Sequence, residues 1–198
     1  MNENKKKTRK ASLVLDGQVA ETIYNSKEGK TQFSVYENNS VNYLDKLIGN
    51  NDEEIYPLDA KSDIVNKNIV LLPSEASEYL SDEKLIEDIV LFIHRYLDIS
   101  PVYEQIASYY VLFSWVFDRF HEVPYLRAIG DFGSGKSRFL QTIGSICYRP
   151  IFTGGATTTA PIFRILDEIN GTLVLDEADM RLSDMTTEIV KILNMGYQ

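Results

Sequence analysis

A chain of 198 residues with 44% apolar composition is long enough for one domain and part of a second, and disorder throughout is excluded. The net charge of −9 argues against bulk electrostatic attraction to nucleic acid, and the single cysteine, Cys147, rules out an internal disulfide. No secretory signal is legible at the N-terminus, and the chain reads as cytoplasmic.

Residues 1–11 form a basic tail. Lys5, Lys6, Lys7, Arg9 and Lys10 stand against Glu3, a local +4 that reads as a solvated, disordered end. Residues 12–75 read as a small β-rich accessory region. "SLVLDGQVAETIY" and "TQFSVYE" flank the turn "NSKEGK", and Phe33 and Val35 alternate with Gln32 and Ser34. "NIVLLP" gives a further strand ending at Pro73, while the polar "IGNNDEEIYPLDAKSD" between them reads as loop. Residues 50–88 carry eleven acids and three lysines, a local −8, and no chemistry is assigned to this zone.

Residues 76–121 read as helical. Ser81 caps a helix whose apolar face is Leu85, Ile86, Ile89, Val90, Ile93, Tyr96 and Leu97, with acids in the first turn facing the positive end of the dipole. A second helix starts at Ser100-Pro101 and is apolar nearly all round through "VYEQIASYYVLFSWVFDRF". Its uncharged stretch, Gln105 to Phe117, is 13 residues, short of the roughly 20 that cross a bilayer. A buried core helix is expected, with the lone Trp115 in the core. His94 and His121 have no ligand-spaced partners and read as structural.

The informative zone is 122–198. "GDFGSGKS" at 130–137 spaces Gly130, Gly135, Lys136 and Ser137 as a phosphate-binding loop does. Such a loop is expected to leave a buried strand, here "YLRAI", and to open a helix, here 136–147, so that helix N-terminal amides face the phosphates. Gly130, Gly133 and Gly135 let the backbone turn tightly, and the segment Gly130, Asp131, Phe132, Gly133, Ser134, Gly135, Lys136, Ser137 and Arg138 is the expected ATP contact. Lys136 is assigned to the β- and γ-phosphates and Ser137 to Mg²⁺.

At 171–179, "GTLVLDEAD" reads as turn, buried strand and two adjacent acids, with Asp176 forty residues after Lys136. Asp176 is assigned to the Mg²⁺ shell and Glu177 to the attacking water. Between the motifs lie a strand "PIFTGG" at 150–155 and a helix entered near Pro161, with Ile162, Ile165, Leu166 and Ile169 on one face.

The pair "GDFGSGKS" and "TLVLDEAD", with the linking "FTGGATTTAPIFRILDE", resembles the AAA+-like and superfamily 3-like helicase ATPases of phages, plasmids and integrated elements, over about residues 76–198. The resemblance implies an α/β fold, a P-loop NTPase parallel sheet with helices on both faces, incomplete at the C-terminus and preceded by the helical segment and the small β-rich region. It also implies ATP and Mg²⁺ as cofactors, single-stranded or forked DNA as partner, and a homo-oligomeric ring. After Asp179 only "MRLSDM", a helix "TTEIVKILNM" and "GYQ" remain, without the later strands that carry a sensor residue and an arginine finger in that family. A fragment, or a subunit completed by another chain, is therefore expected. Arg164 and Arg181 are not assigned as substitutes. Two functions follow: a DNA-dependent motor ATPase, or a nucleotide-dependent interaction module with little hydrolysis. A P-loop kinase fits less well, since adjacent Asp176 and Glu177 suit water activation.

Overall fold

The computed structural model describes residues 7–15, 17–153 and 159–176. The chain divides into two compact units, Met1–Glu78 and Tyr79–Gln198.

The first unit is built on two small sheets. Strands β2 (Ser12–Leu15), β3 (Gln18–Asn25), β4 (Lys30–Glu37) and β5 (Ser40–Leu44) form an antiparallel meander in chain order. Asn25 Oδ1 accepts from the amides of Lys27 and Glu28 at 3.1 and 3.3 Å, which folds the expected β3–β4 turn. The β4–β5 turn is tighter: Asn38 and Asn39 take φ of 50° and 60°, the left-handed pair that a two-residue hairpin requires. The second sheet has the order β1 (Lys7–Arg9), β7 (Glu54–Tyr56), β6 (Leu47–Ile48), with β1 parallel and β6 antiparallel to β7. Ala20, Phe33, Val35 and Ile55 form one core cluster, so side chains from both sheets share it.

Three local expectations change here. Lys7–Arg9 is a strand rather than a free tail, paired with β7 and anchored by Arg9, which donates to the Pro57 carbonyl at 2.9 Å and pairs with Asp59 at 3.2 Å. The segment read as loop contains β7, which three residues are too few to announce by alternation. "NIVLLP" is not a strand: helix α1 (Asp63–Asn66), capped by Ser62, precedes it, and Val70 makes only an isolated bridge.

In the second unit, helix α2 (Asp82–Tyr96) starts at Ser81, whose Oγ accepts from the Lys84 amide at 3.2 Å. Helix α3 (Pro101–Ser114) follows, and the core joins Ile93 and Leu97 to Ala107 and Val111 of α3 and to Ile143 and Cys147. His94 Nδ1 lies 2.7 Å from Oε1 of buried Glu104 and clasps α2 to α3. The second helix is not buried all round. Small or short residues, Ala107, Ser108, Val111 and Ser114, fill its inner face, while Val102, Tyr103, Ile106 and Tyr109 stand half or more exposed. Trp115 is not core either; it is 46% exposed, and its indole N–H donates to the Ile146 carbonyl at 3.1 Å.

Helix α4 (Lys136–Gly144), strand β8 (Ile151–Thr153), helix α5 (Thr159–Ile169) and strand β9 (Leu173–Leu175) complete the described chain. β8 and β9 pair in parallel, Ile151 with Leu173 through Thr153 with Leu175, and Gly144 of α4 lies against Val174 of β9. Among the described residues no helix is long and apolar enough to cross a membrane.

The expected fold class is thereby corrected. The protein is mixed α/β with several small sheets, mostly antiparallel and one of four strands, rather than a parallel P-loop sheet flanked by helices. In the second unit the parallel pairing among the described residues is the two-stranded β8–β9 pair, and "YLRAI" at 125–129 adopts no strand. A strand between two neighbours buries both faces, whereas Tyr125 and Ile129 are 52% and 84% exposed.

Two tests arise from the packing. Cys147 is buried, and burial pushes its thiol up to about 11. The thiolate is the reactive form, so native protein at pH 8 is expected to resist iodoacetamide and to be alkylated once denatured; labelling at equal rates in both states would disprove the burial. Gly171 sits where an added Cβ would fall 2.2 Å from the Arg149 carbonyl oxygen and 3.0 Å from its Cβ. Backbone cannot yield as a side chain does, so Gly171→Ala is expected to cost about 2–3 kcal/mol, read as a lowered midpoint in urea.

Candidate phosphate-binding site

The site is assembled by the chain entering α4. Gly135 is the N-cap residue and adopts φ 85°, ψ 14°, a left-handed conformation that a side chain would disfavour. Gly133 turns the same way, with φ 78°. The Ser134 amide donates to the Asp131 carbonyl at 3.2 Å, and the loop closes into the helix where the Phe139 amide donates to Gly135 O at 2.9 Å. The amides of Lys136, Ser137 and Arg138 precede that first intrahelical bond, and no side chain caps the helix. Donors therefore converge at the positive end of α4.

The Lys136 side chain bends back over this loop. Its Nζ donates to the carbonyls of Gly130 at 2.8 Å and Asp131 at 2.7 Å, which sets an ammonium beside the first-turn amides. Ser137 follows in the first turn, half-buried, and Arg138 is exposed beside it. Asp131, Phe132, Gly133, Ser134 and Gly135 are all exposed, Phe132 completely so. The loop residues expected from the sequence thus form one exposed turn, with the Lys136 ammonium held on its Gly130 and Asp131 carbonyls.

Asp176 follows the carboxyl end of β9, two residues beyond Val174, which touches α4. Glu177 lies outside the described residues. Among the described residues no group of three His, Cys, Asp or Glu could hold a metal ion by itself. The hydroxyl of Ser137 and the carboxylate of Asp176 are hard oxygen donors of the kind Mg²⁺ takes in ones and twos, with phosphate oxygens and water supplying the rest. By chemical type these two donors are compatible with Mg²⁺. The double hold of Lys136 on loop carbonyls was not legible in the sequence; a lysine directly after a left-handed glycine is the local signal for it.

Comparison of this chain with protein-family models, with curated protein sequences and with solved structures finds no match.

Proposed function

We propose that residues 130–138 bind the triphosphate of ATP with Mg²⁺, and that the chain is the nucleotide-binding part of a motor that hydrolyses ATP on single-stranded or forked DNA. One observation carries the reading: Gly135 in the left-handed conformation, three first-turn amides and the Lys136 ammonium all belong to a single exposed turn. Anions bind where helix amides and a cation coincide. On binding, Lys136 exchanges two carbonyl oxygens for β- and γ-phosphate oxygens, an exchange of acceptors that leaves the ammonium hydrogen-bonded throughout. Ser137 and Asp176 would hold Mg²⁺, which would supply neutralising charge to the triphosphate. Glu177 takes a proton from the attacking water as the bond to the γ-phosphorus forms and ADP departs.

The DNA partner and a homo-oligomeric ring rest on the resemblance of the two motifs to helicase ATPases. Calorimetric titration with ATP tests the core of the proposal: saturable binding is expected, weakened when EDTA removes Mg²⁺. No heat with or without Mg²⁺ would sink it. Addition of single-stranded DNA is expected to raise ATP turnover.

A second reading has its own support. Phe132 presents a fully exposed ring at the tip of the nucleotide turn, where a partner could sense bound ATP. Tight ATP binding with turnover indifferent to DNA would favour this interaction module over the motor.

A further inference from the structure

We propose that β5 is a self-association edge, through which two copies of this chain pair antiparallel about a two-fold axis at Asn42. The proposal is independent of nucleotide binding. Its basis is the register of the four-stranded sheet. Val14 stands opposite Val19, Val19 opposite Tyr36, and Tyr36 opposite Val41, so one apolar row crosses all four strands on one face. These side chains are 74%, 45%, 54% and 41% exposed, and the row ends at β5, the outer strand of this sheet among the described residues.

β5 itself is built unlike a protected edge. All five residues of "SVNYL" are exposed, and the strand contains no charge and no proline, the usual devices that discourage edge pairing. Pairing a second β5 about Asn42 sets Val41 against Tyr43 of the other copy, twice. Val41 and Tyr43 lie on the same face, and a β-branched residue opposite an aromatic ring is a favourable cross-strand pair. The junction then gathers Tyr36, Val41 and Tyr43 from each copy into one cluster. No like charges meet across the axis, because β5 is neutral and Asp45, just past its end, is held by Lys30 at 2.7 Å. Although each copy carries −9, β5 itself is uncharged, and a two-fold axis at Asn42 pairs each of its residues with a neutral one. This favours a second copy over a charged extended peptide.

Sedimentation of the full chain tests the proposal. A monomer–dimer equilibrium is expected between roughly 10 and 500 µM, as suits an interface at the small end of the range. Val41→Lys and Tyr43→Glu are each expected to lose the dimer. An equimolar mixture of the two variants is expected to regain it, since the ammonium introduced in one copy then faces the carboxylate introduced in the other. Asn42→Cys gives an independent readout: opposite residues in such a pair lie about 4.5–5.5 Å apart, within disulfide reach. The buried Cys147 stays out of that reaction. A crosslinked dimer on oxidation supports the pairing even if a charged variant fails to fold. A chain that stays monomeric to the top of this range and gives no crosslink, or a dimer that survives Val41→Lys with Asn42→Cys uncrosslinked, would overturn it.

Discussion

Lys136→Ala is expected to weaken ATP binding by roughly 10- to 150-fold, the loss of one charge-assisted contact worth about 1.5–3 kcal/mol. The present partners of the ammonium are two backbone carbonyls of an exposed loop. Removing it frees carbonyls that water can reach, so the fold is expected to keep its stability within about 0.5 kcal/mol. Lys136→Arg separates charge from shape. A planar guanidinium cannot occupy the compact position between Gly130 O and Asp131 O, and binding is expected to stay impaired despite the retained charge. Calorimetry on the three proteins, with thermal melts alongside, reads both quantities. Wild-type ATP affinity in Lys136→Ala would remove the loop from the nucleotide site.

Glu177→Gln is expected to separate binding from turnover. A general base contributes about 10²- to 10⁴-fold, and the amide can still orient water but cannot take its proton. With residues 130–138 as the proposed ATP site, affinity is expected to change less than twofold, roughly 0.4 kcal/mol on the scale of 1.4 kcal/mol per decade. Asp176→Asn is the useful companion, since it is expected to raise the Mg²⁺ concentration needed for binding rather than the catalytic step alone. Single-turnover hydrolysis with saturating ATP distinguishes the two. Wild-type hydrolysis by Glu177→Gln would strip that carboxylate of its role.

What the sequence discloses here is what neighbouring residues decide among themselves. Ser81 capping α2, the Asn25 turn between β3 and β4, and the strand Leu173–Leu175 all depend on contacts within a few positions. The glycine-rich turn belongs to the same class: glycines at 133 and 135 permit left-handed backbone, and that is where the chain turns into α4. Sheet membership is different in kind, because it is settled by partners far along the chain. β1 finds β7 across more than forty residues, and neither three-residue strand has a period long enough to read. β5 did carry a local sign, the Asn38-Asn39 pair between "SVYE" and "SVNY", which the alternation on either side would have made a hairpin. The parallel-sheet expectation went wrong at the same level. It extended two local motifs into a global topology, and the strand it needed at 125–129 leaves Tyr125 and Ile129 exposed instead.

The indole at position 115 gives the molecule a built-in optical label. It is the sole tryptophan, it is tied to the carbonyl of Ile146 just past the last turn of α4, and its ring meets Tyr148 edge-on at 5.2 Å. The nine residues of α4, about 13 Å of helix, separate that label from the turn holding Lys136. Its emission is blind to events at the loop unless α4 shifts as a rod, so a nucleotide-dependent change in fluorescence would measure mechanical transmission along the helix and not occupancy at its tip.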